Sequence, residues 1–325
     1  MPLTAEPIFL KADLLDIEKV LYQPISEELK HREIFPNLLT SFNPEAEEIG
    51  YDTYDRTGSA KVFAGRAVAN DIPFVGDKKT RNTQPVHEIA TGIKFTRAER
   101  AASQAARGLG NGPAVPLDML RVETARRYIN EKEAKHVWVG DSTYGIKGIL
   151  DSEYYTETGL GSMLFVAQGA SGNSAVEKKK WINKTSQEII DDLLEARTVV
   201  GTGGIFNARN LVLPHEQLLR LEKPYGDNNP ISIKDVLLGR GGDAQGYFDT
   251  IEGTNYLDSA NNGLSVDAFL VFDSRPQAGQ IAVVKEMEIF PAVFDITRNS
   301  EQAIILRSGG FVMRHPAAFA VRKGI

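Results

Sequence analysis

Residues 116–151, PLDMLRVETARRYINEKEAKHVWVGDSTYGIKGILD, constrain the fold more than any other stretch of this chain. Pro116 suits a first helical turn, where its missing N–H has no intrahelical partner. From Leu117 to Lys135 there is no further Pro and no Gly, and most positions are good helix formers. Val122, Ala125, Ile129 and His136 recur at the three-to-four spacing of a half-buried helix, while Leu120, Thr124, Tyr128 and Glu131 line a second edge. The spacing predicts a spine helix over 117–136, about 30 Å long at the usual rise per residue. Val137, Trp138 and Val139 then form an apolar plug, and Gly140, Gly145 and Gly148 predict tight turns or close backbone approach. The GxxxxGK[ST] pattern of a phosphate loop is missing, so a helix terminus followed by a packed turn is the reading.

A chain of 325 residues has room for one large domain or two modest ones around that spine. With 42% hydrophobic and 25% charged residues it reads as folded and soluble. A formal charge of -6 gives no bulk attraction to nucleic acid, although local basic patches are compatible with it. The absence of cysteine excludes disulfides, thiolate metal sites and cysteine nucleophiles together. Residues 1–21 lack the basic segment and apolar run of a secretory signal, and no run reaches the roughly 20 apolar residues of a bilayer span. The expectation is synthesis in a cytoplasm without that processing.

Before the spine, residues 1–50 read as a peripheral arm. A short amphipathic helix is expected over 13–21, and Pro24, Pro36 and Pro44 then interrupt the chain around the apolar anchors Phe35, Leu38, Leu39 and Phe42. Tyr51 and Tyr54 interleave with Asp52 and Asp55 ahead of Thr57-Gly58. Paired aspartates could bind a cation, but no second ligand cluster lies nearby, so a turn with aromatic anchors is expected. Strands are expected over 61–63 and 88–95, joined by a long excursion that carries Lys78, Lys79 and Arg81. These three cations read as a solvated loop or an intersubunit salt contact before an anion site. Thr96 and Glu99 make a capping box that opens an Ala-rich helix over 97–107, ended by Gly108 and Gly110.

After the spine, a short strand is expected over 163–166, followed by Lys178, Lys179, Lys180 and Trp181, a weak match to a base-stacking patch. Thr185 and Glu188 open a second capped helix to Arg197, with Ile189, Ile190, Leu193 and Leu194 inward and Asp191 and Asp192 on the polar side. Residues 201–204, Gly-Thr-Gly-Gly, lack the GxGxxG spacing of a dinucleotide loop. A strand over 210–213 hands over through Pro214 to a short helix carrying His215, and Ser232 opens another that ends at Gly239. Residues 239–263 read as loop; Asp243, Asp249, Glu252 and Asp258 lack the alternating spacing of a calcium loop. Strands follow over 268–272 and 281–290, the latter with Glu286 and Glu288 on one face, exposed or met by a cation. A Gly-turned hairpin is expected between 304–306 and 311–313, with the C-terminus in the core. Helices first and strands later predict an α+β fold.

This order resembles the major capsid proteins of tailed bacteriophages with the Hong Kong phage-type, HK97-like fold. The residues that carry the resemblance are YDTYDRTGSAK at 51–61, KHVWVGDSTYGIKGIL at 135–150 and MRHPAAFAV at 313–321. The resemblance implies an N-terminal arm over 1–56 and an extended loop over 57–96 that reaches across a neighbour. It further implies a peripheral domain over 97–181 with the spine helix, an axial domain over 182–300, and return strands over 301–325. The implied function is that of a self-assembling subunit forming pentamers and hexamers of an icosahedral head around double-stranded DNA, held without sequence-specific binding. The place would be the virion, after synthesis in the host bacterial cytoplasm, with scaffolding, portal and decoration proteins as further partners and no membrane.

No catalytic, cofactor or metal residue is implied. The expected intersubunit contacts are Tyr51, Tyr54, Arg56, Lys61, Lys78, Lys79 and Arg81. Some relatives join an extended-loop lysine to a neighbour's asparagine; Lys78 and Lys79 lie in the comparable region, but no matching Asn or assisting Glu stands out. A first alternative within the fold is an encapsulin-like compartment loaded with a cargo enzyme. An alternative of another class is a hydrolase built on His215 and Asp243, for which the sequence supplies no local base or nucleophile pattern.

Overall fold

The structure, a computed structural model, describes residues 28–62, 73–108, 117–156, 162–202, 204–226, 229–240 and 246–325. The helix expected over 13–21, Phe63 and Asp243 lie outside these residues. The described chain divides into a smaller unit, Ala90–Ile129 with Glu288–Ile305, and a larger one, Leu29–Ile89, Asn130–Met287 and Leu306–Ile325. The secondary structure is α+β.

In the larger unit a five-stranded sheet runs in the order Thr250–Gly253, Asn210–Leu213, Ala268–Phe272, Phe319–Lys323, Ser162–Phe165. Leu270 is the pivot of its register, opposite Val212 on one side and Val321 on the other, both antiparallel. The two outer strands pair in parallel, Ile251 opposite Leu211 and Ala320 opposite Ser162. AFLVF of Ala268–Phe272 is buried at every position, as a strand covered on both faces must be. Helix Ser186–Gly201 packs Ile189, Ile190, Leu193, Ala196 and Val200 into one core with Phe269, Val271 and Leu211. Phe272 and Phe319 stack at 6.0 Å, and Phe35 meets Phe272 at 4.9 Å, Phe311 at 5.0 Å and Trp138 at 5.7 Å.

The spine forms as Leu117–Trp138, two residues longer than the sequence pattern indicates, because Val137 and Trp138 stay helical and fully buried. The turn after it supplies what a helix end lacks. Ile149 and Leu150 donate to the Val137 and Trp138 carbonyls, both at 2.9 Å, leaving those groups satisfied. Gly140, at φ 79°, and Gly148 make the close approach possible: a Cβ on Gly140 would sit 2.5 Å from the Gly148 nitrogen.

In the smaller unit the Thr96–Glu99 capping box forms with both reciprocal bonds, 3.1 and 3.2 Å, at the start of helix Arg97–Gly108. Arg121 of the spine holds Glu99 at 2.9 Å and lies over the Phe95 ring at 4.9 Å. Val293–Phe294 pairs antiparallel with the first residues of Ser300–Met313 across a tight turn.

Several expectations are corrected. Lys61 and Val62 are not a strand; the strands are Glu48–Thr57 and Gly76–Pro85, paired with each other, so 51–57 is ladder and not a turn. Residues 304–313 are one strand, Ser300–Met313, in which Gly310 at φ 72° is an irregularity within the ladder instead of a hairpin turn. Within the expected loop at 239–263, Thr250–Gly253 joins the sheet. Asp192 is buried, not on a polar face: it accepts from Trp181 Nε1 at 2.9 Å and Lys184 Nζ at 2.5 Å, and the buried Trp181 has no ring face left for a nucleotide base. Strands also occupy much of the first half, so helices and strands are interleaved and not segregated.

Candidate functional site

The site with the least internal explanation is the ribbon Glu48–Thr57 with Gly76–Pro85. Ten residues on each side pair in unbroken antiparallel register, from Glu48 opposite Pro85 to Thr57 opposite Gly76. At its base Ile49 and Tyr51 pack into a small core with Val86, Ala282, Val284 and Val312. Two polar tethers fix that base to the end of strand Ser300–Met313, and Tyr154 bonds to the same strand end. The Tyr51 hydroxyl donates to the Met313 carbonyl at 3.0 Å, and the buried Gln84 amide donates to the Gly309 carbonyl at 2.5 Å. The Tyr154 hydroxyl donates to the Phe311 carbonyl at 3.3 Å. Burial pushes both phenols above the ordinary tyrosine range, so they stay protonated donors.

Beyond the base neither face is covered by the described residues. Antiparallel pairing puts Asp52, Tyr54 and Arg56 on one face with Arg81, Lys79 and Asp77, and Tyr51, Thr53 and Asp55 on the other with Asn82, Thr80 and Lys78. Asp52 binds Arg81 at 2.8 Å and Lys79 at 2.5 Å, and these hydrogen bonds hold its carboxyl far below the usual carboxylate range. The Tyr54 phenol is hydrogen-bonded to Asp77. Threonine hydroxyls reinforce the ladder: Thr53 donates to the Thr80 carbonyl at 3.2 Å and Thr57 to the Gly76 carbonyl at 2.9 Å. The result is a stiff, charge-laced ribbon with a cleft of about 960 Å³ between its base and the 313–316 segment.

Of the seven residues singled out from sequence, Tyr54, Arg56, Lys79 and Arg81 share one face; Tyr51 and Lys78 lie on the other; exposed Lys61 follows the ladder. The aspartates read as candidate cation ligands are separated by the pleat, Asp52 on one face and Asp55 on the other. Sequence reasoning missed the end of the ribbon. Val62, Phe74 and Val75 are 98%, 89% and 75% exposed, more than a lone chain has reason to leave bare. The signal was present in Phe74-Val75, an apolar pair between Pro73 and Gly76 just ahead of the polar run DKKTRNTQ.

The other candidates resolve into packing. His215 lies in the first turn of His215–Arg220 with its ring against Gly253, where an added Cβ would come 2.5 Å from Nδ1. Glu252 pairs with Lys30 at 3.3 Å and Asp249 with Arg209 at 2.9 Å, which separates two of the acids weighed as calcium ligands. Gly201 closes helix Ser186–Gly201, the wrong helix end for a phosphate. Glu286, exposed, meets Arg32 at 3.2 Å, the cationic partner that one of the two reads of its strand required.

Three comparisons bear on this architecture. The profile of the family described as "Major capsid protein" matches residues 58–325. Solved structures are similar over nearly the whole chain. The capsid of Myoviridae phage XM1 has a TM-score of 0.77 at 11% identity, covering 99% of this chain and 100% of that one. Mycobacterium phage Bobi gives 0.62 at 12% identity, covering 97% and 98%. A virus-like particle from Pyrococcus furiosus gives 0.50 at 13% identity, covering 88% of each chain. A search of curated proteins finds no match.

Proposed function

Since the chain belongs to the major capsid protein family and has the HK97-like fold of phage capsids, we propose that it builds an icosahedral phage head. In this reading pentamers and hexamers of one subunit close around double-stranded DNA, which the wall encloses without reading its sequence. Subunits are made in the host bacterial cytoplasm, and scaffolding, portal and decoration proteins act on the same shell. Its role in this reading is structural; Asp243 of the hydrolase alternative lies outside the described residues, and Glu252 and Asp249 are paired with Lys30 and Arg209.

The observation that carries the proposal is the ribbon. Beyond its packed base the ladder has two bare faces and an apolar end with no partner among the described residues, and open strand edges invite pairing with another chain. Repetition under closed symmetry gives every copy that partner, and many modest contacts then add up to a stable wall. We assign the extended loop to residues 48–85, with Tyr54, Arg56, Lys61, Lys78, Lys79 and Arg81 facing neighbours and Tyr51 anchoring its root. The larger unit's five-stranded sheet and helix Ser186–Gly201 take the axial role, and the spine the peripheral one.

Electron microscopy of the full-length protein at high concentration tests this. Closed shells are expected, and particles from infected cells are expected to protect DNA from nuclease. A second reading, an encapsulin-like compartment, draws on the similarity to the Pyrococcus furiosus particle. Shells filled with an enzyme and free of DNA would select it, and a protein that stays monomeric would exclude both.

A further inference from the structure

One exposed corner of the smaller unit holds charge that no carboxylate answers among the described residues. Arg97 and Arg100, in the first turn of helix Arg97–Gly108, and Arg298, after strand Val293–Phe294, line a concavity of about 460 Å³ with Ala101 and Phe294. Arg100 lies over the Phe294 ring at 5.2 Å and donates to the Ser300 hydroxyl. Arg298 is held at φ 62°, a region non-glycine residues seldom occupy. Its N–H donates to the Asp295 carbonyl at 2.7 Å, and the Asp295 N–H to the Asn299 carbonyl at 2.8 Å, so the turn is closed on both sides.

The carboxylates nearby are committed elsewhere. Glu99 is held by Arg121 at 2.9 Å and Glu301 by Lys94 at 2.6 Å. Asp295 accepts from the Ile296 N–H at 2.6 Å and the Thr297 hydroxyl at 3.1 Å. Among the described residues no carboxylate pairs with Arg97 or Arg298. The helix N-terminus adds further positive potential. Around this charge stand Val293, Phe294 and Ile296, 70%, 60% and 99% exposed, an apolar rim that would shed water when covered and so strengthen the charge contact.

The larger unit offers the complementary group. Residues 45–48, Glu-Ala-Glu-Glu, carry three exposed carboxylates in four positions. A turn presents them: the Asn43 side chain accepts from the Glu45 N–H at 3.1 Å, and the Asn43 carbonyl from the Ala46 N–H at 2.9 Å. Arg307 reaches Glu45 at 3.5 Å, but its guanidinium is shared with the Pro44 and Ala46 carbonyls. Among the described residues Glu47 and Glu48 make no ion pair.

We propose that the corner formed by Arg97, Arg100 and Arg298 of one copy receives the 45–48 carboxylates of a second copy. The proposal deepens the shell reading and rests on it. Copies with a net charge of -6 repel one another, and an unlike-charge contact between two different patches offsets that repulsion while repeating head to tail around a ring. Guanidinium forks bind carboxylates in two-pronged fashion, which also fixes the orientation of approach.

Charge exchange in the full-length protein tests the contact. Three chains are compared with the wild type for shell yield: R97E/R298E, E47K/E48K, and the chain with all four substitutions. The changed side chains are exposed, and an acid at position 97 suits the first turn of its helix, so thermal melting should be unaltered. Each pair of substitutions is expected to lower shell yield at least ~10-fold, and the fourfold chain, with the charges exchanged, to recover it. Undiminished yield from R97E/R298E, or no recovery in the fourfold chain, overturns the contact while leaving the shell reading in place. Shells of R97E/R298E that form normally but no longer retain duplex DNA would assign the corner to nucleic acid and overturn the proposal as well. A wild-type chain that forms no shell removes the reading on which the proposal rests.

Discussion

Glu133 has no exposed surface, and its charge is answered on the spot: His31 Nε2 lies 3.1 Å from one carboxylate oxygen, and Arg32 donates at 2.9 and 3.1 Å. Burial raises the carboxyl's pKa, and the hydrogen bonds from His31 and Arg32 outweigh that, leaving it below the ordinary range. Glu133→Gln should therefore destabilise the fold by about 3 kcal/mol or more, because it leaves the part-buried Arg32 guanidinium without its carboxylate; chemical denaturation would measure it. His136 behaves oppositely. Burial, aided by Lys132 and opposed by Asp141, lowers its pKa to about 4, and neither ring nitrogen has a hydrogen-bond partner among the described residues. The unfolded chain, with an ordinary histidine near ~6.5, binds the proton more readily. This contribution is thus full above about pH 6.5 and is lost as pH falls toward 4, worth roughly 3 kcal/mol. In His136→Leu that part of the stability-versus-pH curve should flatten; an unchanged slope would assign it to other groups. Neither residue was fully legible in the sequence. A Glu among Lys and Arg on a helix reads as solvent-facing, and only the long-range partners at 31 and 32 reveal the burial.

Elements whose cause is local were legible, and those whose cause is distant were not. The capping boxes at Thr96 and Thr185, and the Ser232 cap with left-handed Gly239, use bonds within four residues, and each formed as read. The ribbon escaped detection because a strand announces itself by burying alternate residues, and DKKTRNTQ buries almost none. Ser308-Gly309-Gly310 looked like a turn because two glycines permit one, yet the flanking residues are paired with other strands instead. At Gly309 a Cβ would lie 2.8 Å from Ile49, so the glycine serves close packing at the ribbon's base. Two predictions belong to this scale. Gly148→Ala would drive its Cβ into the Gly140 nitrogen and Val139 carbonyl carbon, and should cost more than about 3 kcal/mol in melting experiments on the soluble subunit. F74D/V75D alters only exposed positions, so stability should change by less than about 0.5 kcal/mol while shell yield collapses. Shells at wild-type yield would show that the end of the ribbon is not covered by a neighbour.

For the whole molecule, the order of segments carried more information than any motif. A long spine, a polar excursion before it and packed strands at the C-terminus pointed to the HK97-like fold, and identities of 11–12% show how little residue identity that fold demands. What individual positions could not convey is which surfaces are finished within one chain, because that depends on copies placed by symmetry. The proposed shell rests on a neighbouring copy completing the ribbon of Glu48–Thr57 and Gly76–Pro85. Cryo-electron microscopy of the assembled particle tests it most directly. The prediction is a closed shell in which Tyr54, Phe74 and Val75 of each subunit lie buried against an adjacent one. A particle built from other proteins, or a shell in which every ribbon stands free in solvent, would contradict it.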